Sequence, residues 1–259
     1  MNTVQAWRGQ ARGPLRECRH PVPLRRYFFN ESLNTRFKSV QFVVAFPPTS
    51  SYLFLLGVPR MPRSARQIDI GCPHHITQRG NNRQDVFLTD EDRTKYLLTL
   101  KENCTEENVQ VLSYCLMTNH VHVVVIPNTE TGLAKAIGQT HLTYAQAFNR
   151  SNGTSGHLWQ GRFKSFSMDE AHTMSALRYV ERNPVRAGIC RDARDFHWSS
   201  ASAHCLNEID KFGLLDMSWW RLFSRDLNWA EWIATTENDR ELMRIRGFAQ
   251  GGGRWKFRV

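Results

Sequence analysis

The order of elements predicts an α+β protein: a ferredoxin-like (RRM-like) antiparallel sheet with helices on one face, plus a C-terminal helical appendage. Three observations carry this. Hydrophobic periodicity alternates between 2 and 3.6 in the order strand, helix, strand, strand, helix, strand, helix across residues 72–183. Thr89-Asp90-Glu91-Asp92 and Ser167-Met168-Asp169-Glu170 read as capping boxes, each just before a helical stretch. Thr118-Asn119 is a two-residue turn between two β-rich runs, which makes them a hairpin.

Each element follows from its residues. Cys72 to Arg79 reads as a first strand, and Gly80-Asn81-Asn82-Arg83 as a polar loop. Thr89 caps a helix running to about Asn108, with Leu97, Leu100 and Cys104 at helical spacing. Val109 to Met117 is a second strand, and the chain returns from the turn through His120 to Pro127. Gly132 to Arg150 is a second helix, with Leu133, Ile137, Thr140, Tyr144 and Phe148 on one stripe. Ser151 to Gly156 breaks it. Leu158 to Ser167 reads as a further strand. A third helix then runs to Asn183 and is stopped by Pro184, which cannot continue it. Phe196 to Ala201 turns into a packing helix. Trp219, Trp220, Trp229 and Trp232 belong to the helical appendage and serve packing.

At 259 residues the chain suits one domain with extensions or two small domains. Its net charge is +10, of which residues 1–60 supply +7 from nine basic and two acidic residues. That segment is rich in Arg and Pro and has no sustained period. It reads as a basic, disordered extension or the product of an early start codon, with Met61 as the natural start. The expected division is 1–60 extension, 61–205 catalytic domain, 206–259 helical appendage. A basic chain suits a polyanionic partner, though the charge of the main body is modest. No apolar run is long enough for a membrane span. The six cysteines form no C-x-x-C pair, so they read as free thiols in a reducing compartment, and cytoplasm is the expected location.

The chemistry centres on His120-Val121-His122. A strand alternates faces with period 2, so both imidazoles point the same way while Val121, Val123 and Val125 face a core. Their Cα atoms lie roughly 6–7 Å apart, near enough to share one metal ion. An isolated pair of this kind also suits an ordinary half-exposed sheet surface. In the third helix, Tyr179 and Asn183 are spaced i, i+4 and share one face, with His172 two turns earlier on the same stripe. A phenol and a carboxamide projecting together suit a nucleophile beside a metal ligand.

Four stretches then resemble a known family. They are Pro73-His74-His75-Ile76-Thr77-Gln78-Arg79-Gly80-Asn81-Asn82-Arg83, Tyr114 to His122, Gly156-His157-Leu158-Trp159-Gln160-Gly161-Arg162-Phe163, and Leu177 to Gly188. In this order they resemble REP-associated tyrosine transposases, members of the single-tyrosine transposases with a His-hydrophobe-His motif. The likeness covers roughly Met61 to His204, and relatives commonly start near the position of Met61.

The resemblance implies that Tyr179 attacks a DNA phosphodiester, giving a 5′-phosphotyrosine and a free 3′-hydroxyl for later strand transfer. It implies a divalent ion held by His120, His122 and Asn183. Histidine ligands alone point to zinc or another transition metal; the resemblance points to Mg2+ or Mn2+. It implies single-stranded, hairpin-forming palindromic DNA as the partner, no membrane, and a monomer or homodimer. Arg79, Asn82, Arg83, Arg162, Lys164 and Arg186 flank the expected site and suit DNA contacts, and Trp159 suits stacking on an unpaired base.

The chain departs from the family at its end. Arg246 to Gly253 stands where relatives carry a Gly-Arg-Pro-Leu-Gly type segment and a basic tail. Two other classes compete with a nicking and strand-transferring enzyme. A domesticated hairpin-binding protein would have lost the chemistry, whereas His120, His122, Tyr179 and Asn183 are all present. A metal-dependent hydrolase would leave no covalent adduct, and an RNA-binding sheet of this topology would show aromatics where this strand shows histidines.

Overall fold

A computed structural model describes residues 68–236. The expectations for residues 1–60 and for the Gly-rich end lie outside the described residues. The elements are β1 (His74–Arg79), α1 (Asp90–Glu106), β2 (Val109–Met117), β3 (His120–Pro127), α2 (Gly132–Asn152), β4 (Lys164–Ser167), α3 (Glu170–Glu181), α4 (Asn183–Arg186), α5 (Ala201–Leu206), α6 (Met217–Phe223) and α7 (Trp229–Ala234). The four strands form one antiparallel sheet in the order β2-β3-β1-β4, the ferredoxin-like arrangement.

Alternation along β3 sorts the sheet into two faces. Val121, Val123 and Val125, with Ile76 of β1 and Tyr114 and Leu116 of β2, pack against α1 and α2. The buried stripes are those expected: Leu97, Leu100 and Cys104 on α1, and Leu133, Ile137, Thr140, Tyr144 and Phe148 on α2. Thr89 caps α1 through a full capping box, accepting from the Asp92 N–H at 3.2 Å while Asp92 accepts from the Thr89 N–H at 3.1 Å. Val124 and Ile126, with Cys115 and Met117, face the other side. There α3 and the C-terminal helices form a second core with Ala176, Leu177, Val180, Trp219, Trp220, Trp229 and Ile233. Helices therefore lie on the second face as well as the first.

Four local readings change. The strand expected from Leu158 shortens to Lys164–Ser167. Leu158, Trp159 and Phe163 pack into the α1/α2 core, and Gly161 bends the backbone at a φ of 135°. The cap of α3 is Asp169, which accepts from the His172 N–H at 2.9 Å, not Ser167, which pairs with His74 in the sheet. Pro184 does not stop α3. The helix ends at Glu181, and Pro184 falls in the first turn of α4, where its missing N–H leaves no bond unmade. Cys104, Cys115, Cys190 and Cys205 are free thiols as expected, whereas Cys72 is disulfide-bonded. Among the described residues, no helix is long and apolar enough to cross a membrane.

The Gly80–Arg83 loop is tight. A Cβ at Gly80 would lie 2.2 Å from the Gln84 carbonyl oxygen, so only glycine fits there. Asn82 and Arg83 take positive φ values of 50° and 63°. The loop is tied to the chain after α2: the Asn81 N–H donates to the Leu158 carbonyl at 2.8 Å and the Gln160 N–H to that of Arg79 at 2.9 Å.

Candidate active site

β1 and β3 are neighbours at the centre of the sheet, with Thr77 opposite His122 and Arg79 opposite His120. Period 2 therefore puts His75, Thr77 and Arg79 on the face that carries both histidines of β3. His74 has the opposite parity; its Nδ1 lies 2.8 Å from the Cys72 carbonyl oxygen.

Three imidazoles gather on this face. The His75 and His122 rings meet edge to edge, 22° from parallel with centroids 5.1 Å apart, and His75 Nε2 lies 3.0 Å from His122 Nδ1. His120 meets His122 edge-on, also at 5.1 Å. Its Nδ1 lies 2.7 Å from Asn119 Oδ1. The Asn119 amide nitrogen donates to the Arg83 carbonyl at 3.2 Å, so its oxygen is the end facing His120. An amide oxygen only accepts, so His120 carries its proton on Nδ1 and a lone pair on Nε2.

Tyr179 joins the group from α3. Its ring sits edge-on to His122 at 5.6 Å and to His75 at 6.1 Å. The Arg186 guanidinium lies 4.0 Å over the Tyr179 ring and donates to the Tyr179 carbonyl at 2.7 Å. Asn183 does not ride on α3 beside Tyr179 as the i, i+4 spacing implied; it opens α4. It is 9% exposed, and its carboxamide nitrogen is buried without a hydrogen-bond partner.

Burial sets the protonation of the cluster. It pushes His75 down to about 4. It does the same to His120, where the nearby Arg79 charge adds to the effect. His122 is lowered well below its ordinary value, by burial first, then by His75, His120, Arg186 and Arg79. The imidazoles are therefore neutral at neutral pH, the form that binds a metal.

The residues fit a divalent ion. His120 offers a lone pair, His122 stands beside it, and a carboxamide with an unpartnered buried end is nearby in sequence at Asn183. Among the described residues, no group of three or more His, Cys, Asp or Glu side chains could hold a metal.

The other side of α3 is anchored. The Glu181 carboxylate is fully buried and accepts from Ser200 Oγ and His204 Nδ1, both at 2.5 Å, and from Trp229 Nε1 at 2.8 Å. Ser113 of β2 reaches it at 3.4 Å. Arg178 donates to the Thr235 carbonyl and hydroxyl, each at 2.6 Å, and Arg182 donates to the Ile233 carbonyl. The helix that carries Tyr179 is thus clamped to the sheet edge and to the C-terminal helices.

Residues 70–183 match the family model for IS200-like transposases. The match takes in 114 of the chain's 259 residues. Two solved structures are similar to the chain. One is a REP-associated tyrosine transposase bound to a REP hairpin, 17% identical, covering 61% of this chain and 91% of that one with a TM-score of 0.47. The other is a candidate transposase from Deinococcus radiodurans R1, 20% identical, covering 42% of this chain and 88% of that one with a TM-score of 0.33. No curated protein sequence matches the chain.

Around the site, Arg79 at the end of β1, Asn82 and Arg83 on the Gly80–Arg83 loop and Arg162 on the segment tied to it are exposed, beside the His120 end of β3. Lys164, at the start of β4, is also exposed, two positions across the sheet from His122 through Thr77. Arg186 is instead engaged on Tyr179. Trp159 is a correction. It is 8% exposed, stacks near His141 at 4.8 Å in the α1/α2 core, and donates its indole N–H to the His141 carbonyl at 3.0 Å. Its faces are taken by protein, so it is not a platform for a base.

Sequence reasoning passed over three residues of this site and its support: His75, Asn119 and Glu181. His75 and Asn119 stood inside the quoted motifs, but their places depend on strand register. Glu181 carried one signal, a charged residue on an apolar stripe of a helix, and its partners lie far along the chain.

Proposed function

We propose that this chain is an IS200-like transposase that nicks and rejoins single-stranded, hairpin-forming DNA through a covalent tyrosyl intermediate on Tyr179. One observation carries the reading: the only tyrosine on the histidine face among the described residues stands edge-on to His122 and His75, on a helix held rigid from behind. Tyr96, Tyr114 and Tyr144 are buried in the other core, where burial pushes their hydroxyls up and away from the nucleophilic form.

Tyr179 Oη would bond to the phosphorus while the bond to the 3′ oxygen breaks. The products are a 5′-phosphotyrosine and a 3′-hydroxyl, and the phenolic proton ends on that 3′ oxygen. The reverse attack by a 3′-hydroxyl from another strand reseals DNA and releases Tyr179, with no net loss of phosphodiester bonds. Arg186 holds the Tyr179 ring in place by stacking on it. His120, His122 and Asn183 would hold Mg2+ or Mn2+, which when bound polarises the phosphate and offsets developing charge. Arg79, Asn82, Arg83, Arg162 and Lys164 line a basic rim suited to phosphates, with Lys and Arg contacts that are sequence-independent. A hairpin is the proposed substrate because the motifs are those of REP-associated transposases, and because an unpaired strand reaches a helix-borne phenol without duplex opening.

The test is end-labelled hairpin DNA with Mg2+ or Mn2+ on a denaturing gel. Wild type is expected to give a nick and a protein–DNA adduct. A folded Tyr179→Phe protein is expected to bind the hairpin and give neither. An adduct from the folded variant would remove Tyr179 from the chemistry. A wild type that grips the hairpin but never nicks it would leave a binding protein.

A further inference from the structure

His120 and His122 would each use Nε2 toward a metal, and the structure shows what governs the choice at His120. Asn119 takes the Nδ1 proton, and Asn119 is itself oriented by the Arg83 carbonyl. His122 has no such amide. Its Nδ1 faces another imidazole nitrogen, His75 Nε2, at 3.0 Å. Two neutral imidazoles share one proton across such a contact, and the two ways of sharing differ in consequence. If His75 donates, His122 must carry its own proton on Nε2 and has no lone pair for an ion. If His122 donates, His75 accepts on Nε2, and the Nε2 of His122 is open. The two nitrogens point at each other along a hydrogen bond rather than converging on a third point, so His75 shares a proton with His122, not an ion.

We propose that His75 is a positioning residue for the metal site: it accepts the Nδ1 proton of His122 and so presents Nε2 of His122 for ligation, as Asn119 does for His120. This rests on the metal reading above. The arrangement is what metal-binding histidines need, since the partner of the second nitrogen sets both tautomer and ring orientation. Here the partner is a third histidine, buried on a central strand, with its ring plane 22° from that of the ring it serves.

The test uses the whole protein, 15N-labelled at histidine and free of metal, with long-range 1H–15N correlation spectra that distinguish the two tautomers. His122 in the Nδ1–H form with His75 unprotonated at Nε2 is the expected result; His122 in the Nε2–H form overturns the proposal. Mn2+ titration then reads the consequence. His75→Phe keeps the ring's bulk and removes the acceptor, and is expected to weaken Mn2+ binding by about 10–100-fold. His75→Gln, whose carboxamide oxygen can accept, is expected to recover most of that loss. A folded His75→Phe protein with wild-type Mn2+ affinity overturns the proposal. Should that variant not fold, the wild-type spectrum alone decides. A wild type that binds no Mn2+ refutes the metal reading, while the tautomer of His122 still decides the role of His75.

Discussion

Glu181 lies two residues from Tyr179 and two from Asn183, and it is the most heavily bonded buried carboxylate of the second core. Consider Glu181→Gln. The carboxylate accepts from Ser200 and His204 on one oxygen and from Trp229 on the other. The amide keeps one acceptor and turns the other position into a donor. If the oxygen stays with Ser200 and His204, the amide N–H2 faces the Trp229 N–H, and two buried donors are left opposed. A buried donor without a partner costs about 1–3 kcal/mol, and that is the expected loss. Glu181→Ala removes every bond at once and leaves a void, so about 3–5 kcal/mol is expected, the range for breaking a buried polar pair from one side. Urea unfolding reads both: the midpoint falls while the slope stays constant. Exposed Glu208→Gln is the control, expected to lie within about 0.5 kcal/mol of wild type. Under the folded conditions of the gel, adduct formation should fall more than hairpin affinity, because the clamp holds the helix of Tyr179 and not the basic rim. A loss below about 0.5 kcal/mol for Glu181→Gln would refute the reasoning, since it would mean that the donors around Glu181 do not depend on its charge or its second oxygen.

Three further outcomes are expected. His120→Ala and His122→Ala should each abolish nicking and spare most hairpin binding; a near wild-type nicking rate with added metal would exclude them as ligands. Tyr144→Phe should still form the adduct and cost about 1 kcal/mol, because its hydroxyl donates to the Val86 carbonyl in the α1/α2 core and not at the site; loss of the adduct in a folded Tyr144→Phe protein would reassign the nucleophile. In metal-free protein, stability should fall as pH drops from 6.5 toward 4. His75 is protonated in the unfolded chain below about 6.5 but in the folded chain only near 4, so the unfolded state binds more protons in between. At about 1.4 kcal/mol per pH unit His75 alone contributes about 3 kcal/mol, fully present above 6.5 and gone near 4, and His120, also lowered to about 4, adds to it over the same window; a flat unfolding midpoint over that window would contradict it.

Much of this was legible in the residues. The alternation of β3 put His120 and His122 on one face because strand period is a property of the backbone, independent of what packs around it. The capping box at Thr89 and the stripes of α1 and α2 were local in the same sense, and so was the turn at Thr118-Asn119. Where local signals competed, the sequence could mislead. Leu158 to Phe163 has strand-like composition, yet its apolar side chains gain more by entering the α1/α2 core than by pairing with β1. Ser167 and Asp169 both suit a helix cap, and pairing of Ser167 with His74 left the cap to Asp169. Trp159 looked available for a base until the core around Tyr96, Tyr144 and His141 enclosed it.

The tertiary structure decided the rest, for one physical reason: register and packing are set by groups far apart in the chain. Nothing near His75 says whether His74 or His75 shares a face with His122; only the pairing of Thr77 with His122 does. Nothing near Glu181 announces Ser200, His204 and Trp229, which converge on it from 19, 23 and 48 residues away. The histidine pair can be named from the sequence by its strand spacing, and the tyrosine by the resemblance that the surrounding motifs carry. The contact between His75 and His122 and the clamp that seats Tyr179 can be named only from the fold, because each depends on a second strand or helix arriving at hydrogen-bond distance.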